Sequence, residues 1–121
     1  MAGIAESRSA SWQQSAITVT TPTGGYAKGT QVKQGNIIGY VADDFTVGQQ
    51  AAIIYRDPAV LMEKVTGSGK TFAIGGNVYW DNSTGKVTNA STGNTLIGRA
   101  KEAATAAATQ VLVDLSGSTA G

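Results

Sequence analysis

The chain contains no cysteine and no histidine. The first absence removes disulfides, thiolate nucleophiles and soft metal sites together. The second removes the commonest neutral-pH acid/base and the commonest zinc ligand, so most hydrolase and transition-metal chemistry is excluded by inventory. Charge of one sign is also missing. Nine Lys and Arg stand against eight Asp and Glu, a formal net charge of +1, which gives no strong field to draw in phosphates or an anionic membrane. No basic and apolar leader opens the sequence, and no later run approaches the length of a membrane span. The expectation is a soluble protein made in a cytoplasm, with no nucleic-acid, membrane or cofactor partner.

What remains is 121 residues, 41% of them hydrophobic, with 16 glycines. That fits one domain with a thin core, for which self-association could supply further apolar burial. Residues 1–14 show no sustained period, so residues 1–15 are expected to form a flexible N-terminal arm. Trp12 stands out in it, either packing back on its own domain or anchoring the arm to a partner.

Residues 16–115 read as strands separated by turn signals. Ala16 to Thr20 alternates apolar and polar residues of β-branched type and stops at Pro22 and Gly24-Gly25. Thr30 to Lys33 and Ile37 to Ala42 flank Gly35-Asn36, a hairpin signal. Ala51 to Tyr55 is expected to be a short strand ended by a turn at Asp57-Pro58, with Val60 to Val65 the next strand. There Val60, Met62 and Lys64 share one face, a mixed pattern expected of an edge or an interface. Asn77 to Trp80 and Lys86 to Thr88 make a hairpin around Asp81 to Gly85. Thr95 to Ala100 and Thr109 to Leu115 complete the set, the last with Val111, Val113 and Leu115 on one face. Ala103 to Ala108 favours helix by propensity but is too short to stand alone, and reads as a connection. The fold class is therefore all-β, a small single-domain β-barrel or β-sandwich, followed by a small-residue tail at residues 116–121.

Three segments imitate chemical motifs. Gly67-Ser68-Gly69-Lys70-Thr71 ends as a phosphate-binding P-loop does. However, the position that needs the first glycine of that motif is Lys64, and glycines follow where a helix should begin. Asp81 to Gly85 gathers oxygen ligands but lacks the acidic alternation and distal Glu of a calcium loop. Asp43-Asp44 could be a carboxylate pair, yet adjacent strand residues face opposite ways and adjacent turn residues are usually solvated. Tyr79 and Trp80, as strand neighbours, are expected to divide between core and surface.

One ordered set of phrases carries a resemblance. Ile17-Thr18-Val19-Thr20 with Pro22 and Gly24-Gly25 is followed by Gly39-Tyr40-Val41-Ala42 and Val78-Tyr79-Trp80-Asp81. Next come Gly85-Lys86-Val87-Thr88, Thr92-Gly93-Asn94-Thr95, Ile97-Gly98 and the strand from Val111 to Leu115. In this order the chain resembles the capsid decoration or cement proteins of tailed bacteriophages, some of which carry the label of predicted recombinase. The resemblance implies a β-rich domain, commonly trimeric, on the outer surface of the virion's capsid shell. Its partners would be the major capsid protein and copies of itself, and no catalytic residue would come with that role. The stretch before Ala16, with Ser7 to Trp12, is longer than the family's usual start.

The expected function is thus binding to the capsid shell and stabilising it, as a homotrimer. A nucleotide-binding or DNA-transacting protein, motivated only by Gly69-Lys70-Thr71, and a tail structural protein are the alternatives. The expected contact residues are Trp12 in the arm and the segment Tyr55, Arg56, Asp57 and Pro58, which combine aromatic or Arg groups with mobile backbone.

Overall fold

A computed structural model of the protein describes residues 4–7, 14–35 and 37–116. Their regular structure is strand alone: β1 (Ala5–Ser7), β2 (Ser15–Thr20), β3 (Gln31–Gln34), β4 (Ile37–Val41) and β5 (Gln50–Glu63), then β6 (Asn77–Asp81), β7 (Lys86–Thr88), β8 (Thr95–Ala100) and β9 (Gln110–Leu115). All ladders are antiparallel, in the order β3-β4-β5-β9-β8-β6-β7, with β1 and β2 also paired to β5. The all-β single domain expected from the sequence is what forms.

The second half of β5 curls with β9, β8, β6 and β7 into a barrel. Closure comes just past β5, where Lys64 bridges Val87 in parallel and the Val65 N–H donates to the Val87 carbonyl at 2.9 Å. The side chains that the period of two turns inward fill it: Val60 and Met62, Val78 and Trp80, Val87, Ile97, and Val111, Val113 and Leu115 are all buried in one cluster. Trp80 is thus the core member of its pair, while Tyr79 is half-buried. Gln31 reinforces the seam from the neighbouring sheet. Its fully buried amide accepts from the Glu63 N–H at 2.6 Å and donates to the Glu63 and Gly85 carbonyls at 3.3 and 3.0 Å, replacing a missing stretch of ladder. The Glu63–Lys86 ion pair across the same seam, at 3.0 Å, is about a third exposed and adds little.

β5 corrects the expected pair of strands. Ala51 to Tyr55 and Val60 to Val65 are not separated by a turn at Asp57-Pro58; one strand of 14 residues runs through both. The reason is a bulge. Pairing with β9 shifts by one between Asp57 and Val60, and pairing with β2 shifts between Ser15 and Ala16, opposite Tyr55. Pro58, which has no N–H to give a ladder, sits where the ladder is interrupted. Its carbonyl accepts from Lys101 Nζ at 3.0 Å, and the Ala59 N–H donates to Asp57 Oδ1 at 3.1 Å. Asp-Pro here builds a bend inside a strand rather than ending one.

Nor is the Val60, Met62, Lys64 face an edge. β5 is paired on both sides, and the Lys64 stem lines the barrel while its amine caps one end. Lys64 Nζ donates to the Thr105 and Ala108 carbonyls at 3.1 and 2.9 Å. This pins the alanine-rich connection, which is not helical and is tied again by paired bonds between Phe72 and Ala104. Burial lowers the Lys64 pKa from its ordinary value of 10.5. The unfolded chain therefore binds the proton more tightly, so between the lowered folded value and 10.5 stability rises with pH. Lys64→Met is expected to remove that rise. Thermal melts of both proteins as the pH is raised toward 10.5 would show it as a wild-type Tm that climbs relative to that of Lys64→Met; parallel curves would refute it.

The first half of β5 carries β2 on one side and the β3–β4 hairpin on the other. Gly35 opens that hairpin's turn at φ +63°, and Asn36 lies outside the described residues. The stretch expected to be an arm contains a strand: β1 pairs with β5 in the register Ala5–Met62 to Ser7–Val60, and Ala5 is buried. Three residues are too few to show a period, so only the pairing reveals them.

Candidate contact surface

The bulged centre of β5 is where the sequence-derived contact residues meet the structure. Tyr55 is half-buried and Arg56 exposed, with the guanidinium carbon 5.9 Å from the Tyr55 ring centre, within the range of a cation–π contact. Pro58 is half-buried. Arg56, Asp57 and Pro58 line a shallow open dent with Asp114, Leu115 and Ser116, and Lys101 reaches across to the Pro58 carbonyl. Bulges re-aim side chains out of the regular alternation, which is how Tyr55 and Arg56 come to share a surface.

Asp57 does not belong to that surface in the same way. It is only 1% exposed. Its Oδ2 accepts from the Tyr40 hydroxyl at 2.5 Å and from Gln14 Nε2 at 3.4 Å, while Oδ1 takes the Ala59 N–H. The carboxylate faces inward and joins β4, β5 and the residue before β2. Trp12 lies outside the described residues.

The segments that imitate chemical motifs have their polar groups engaged in local structure. In the P-loop imitation, Gly67 and Gly69 take φ of +124° and +78°. The Gly67 N–H donates to the Ala106 carbonyl at 3.1 Å, and the Lys70 N–H to the Gly67 carbonyl at 3.0 Å. Those amides do not form a phosphate cradle, and the following residues form a bridge at Phe72 rather than a helix. Asp81 Oδ1 accepts from Ser83 Oγ at 2.7 Å and from the Ser83 N–H at 2.9 Å, which holds its pKa below the usual carboxylate value and shapes the β6–β7 turn. Asp44 Oδ1 accepts the Lys28 N–H at 2.8 Å and Asp43 Oδ1 the Asp44 N–H at 2.8 Å, so this pair fastens two loops. Among the described residues, no three carboxylates gather as a metal site would require.

Two surface features escaped the sequence reading. Val47 and Ile74 are 61% and 76% exposed. Each stands at the second position of a four-residue turn whose third position is a glycine at positive φ, Gly48 at +87° and Gly75 at +81°, the geometry of a type II turn. That position aims a side chain into solvent whatever its polarity. The legible signal was an apolar residue directly before a loop glycine. Val47 precedes the start of β5, whereas Ile74 sits on the turn bonded to Ala100 near the far end of the barrel, so the two tips lie toward opposite ends of the molecule.

Searches of curated proteins and of solved structures give no match to this chain. A family model described as phage cement protein matches residues 11–115, which take in the bulged surface and all the barrel strands. The chain belongs to the phage cement protein family.

Proposed function

We propose that this protein binds the outer surface of the phage's major capsid shell as a homotrimer and stabilises the shell mechanically, without catalysing a reaction. The observation that carries the reading is the family match over residues 11–115. The physical character of the molecule supports it. A nearly closed barrel whose loops are tied down by backbone hydrogen bonds presents a persistent surface suited to many equivalent sites, and near-neutral charge limits repulsion between crowded copies. Repeated contacts around a symmetry axis then raise avidity without any single strong site.

Purified protein mixed with undecorated, expanded capsids should co-sediment saturably; no saturable binding would sink the reading. Within it, Trp12, Tyr55, Arg56 and Pro58 are the proposed contacts. Arg56→Ala and Trp12→Ala should each weaken attachment about tenfold or more with an unchanged melting temperature. Point substitution is the right tool, because removing residues 1–14 would also remove β1 and its buried Ala5. Full-strength binding by both variants would assign the contact elsewhere.

A further inference from the structure

Among the described residues, seven of the strands are accounted for on both sides by ladders, bridges or the barrel seam, but β2 has a partner on one side only. Among the described residues, none of residues 15–20 makes a backbone hydrogen bond outside the β2–β5 ladder. An open edge is a hazard that proteins ordinarily blunt with charge, proline or an interrupting bulge. The other open edge, on β3, has such a guard in Lys33, whose amine reaches Asn82 at 3.2 Å. β2 has none after its first residue. Ala16-Ile17-Thr18-Val19-Thr20 is uncharged, mostly β-branched and regular in register. Its apolar side is also incompletely covered, since Ile17 and Val19 are half-buried while their partners across the ladder, Ile53 and Ala51, are fully buried.

We infer that the free edge of β2 is an interface between two copies of this chain, paired antiparallel about a two-fold axis at Thr18. The sequence of the edge selects that occupant and that register. Centring on Thr18 uses all five regular residues and sets Ile17 of one copy opposite Val19 of the other, twice. The half-covered apolar strip thereby becomes continuous across both sheets. On the other face Thr18 meets Thr18, and Ala16 meets Thr20. A slip by one residue would set Ile17 against Thr18 and turn apolar side chains to the wrong face. Such a two-fold contact is additional to any three-fold one, and on a shell it would join neighbouring decorations to each other.

Because the chain has no cysteine, one introduced thiol reports the contact without background. Cα atoms of directly opposed antiparallel residues lie about 4.5 to 5.5 Å apart, within disulfide reach. Purified full-length Thr18→Cys, without any capsid, should oxidise to a disulfide-linked pair at least about tenfold faster than Ser91→Cys, an exposed control on another loop. Ala16→Cys and Thr20→Cys should each cross-link slowly alone and rapidly when mixed. Thr18→Lys should lower the sedimenting mass while leaving the circular dichroism spectrum unchanged. Equal rates for Thr18→Cys and Ser91→Cys, or no gain on mixing, would overturn the inference. With no shell present, those outcomes leave the capsid-binding reading untouched.

Discussion

Gly98→Ala is expected to cost about 3 kcal/mol, a large part of the roughly 5 to 15 kcal/mol that holds a domain of this kind together. Gly98 lies inside β8, between Val78 of β6 and Leu115 of β9, next to a register shift in the β6 ladder. A Cβ built on it would overlap the Asp114 carbonyl oxygen, which is main chain and cannot swing aside. On the β9 side the two backbones approach too closely for a side chain, and only glycine fits. Gly39 in β4 is in the same situation against the Ile54 carbonyl, so Gly39→Ala should cost a similar amount. Gly93 makes the control. Its φ is +75° but nothing lies within 4 Å of a Cβ there, so Gly93→Ala should lose only about 1 kcal/mol, through backbone strain. Urea denaturation of the three variants would rank them; a Gly98→Ala midpoint no lower than that of Gly93→Ala would show that the strands can separate to admit a methyl group.

Gly39 and Gly98 also show why the family's phrases have the form they do. Gly39-Tyr40-Val41-Ala42 and Ile97-Gly98 are not turn signals; each glycine marks a place where two backbones come too close for a side chain. A sequence displays the glycine but not the approaching carbonyl. The local alternation was easier to read. β2, the β3–β4 hairpin, β6, β7, β8 and β9 lie where alternation and turn residues put them, because in each the pattern that selects a face and the residues that end the strand are neighbours in sequence. What escaped depended on distant partners. Asp57-Pro58 has the composition of a turn and becomes a bulge only because β9 and Lys101 lie beside it. β1 exists only through pairing with β5, and closure of the barrel rests on Val87 meeting Lys64 and Val65 from 22 residues or more away. For the contact surface, Tyr55 and Arg56 were legible as an aromatic and a cation side by side. The inward turn of Asp57 was not, since it depends on the Tyr40 hydroxyl.

That hydroxyl makes Asp57→Ala the second large effect, expected at about 3 to 5 kcal/mol. The carboxylate is buried and serves several donors at once: the Tyr40 hydroxyl, the Gln14 amide and the N–H of Ala59 within the bulge. Truncation strands them where water reaches poorly, and an unsatisfied buried donor costs more than a satisfied bond contributes. Asp57→Asn keeps an acceptor for the Ala59 N–H and should lose less. Tyr40→Phe removes one donor from the same group, so a double-mutant cycle of Tyr40→Phe with Asp57→Ala should give a coupling of about 1 to 3 kcal/mol; additive losses would mean that the two side chains act separately. The comparison with Arg56 is then decisive for what this stretch of β5 does. Arg56 is exposed, and Arg56→Ala should leave stability within about 0.5 kcal/mol while weakening attachment to capsids. Asp57→Ala should lower the melting temperature and weaken attachment only as far as it unfolds the protein. A stable Asp57→Ala protein that fails to bind would move Asp57 from the frame to the contact surface, and would imply that the bulge opens when the protein meets its partner.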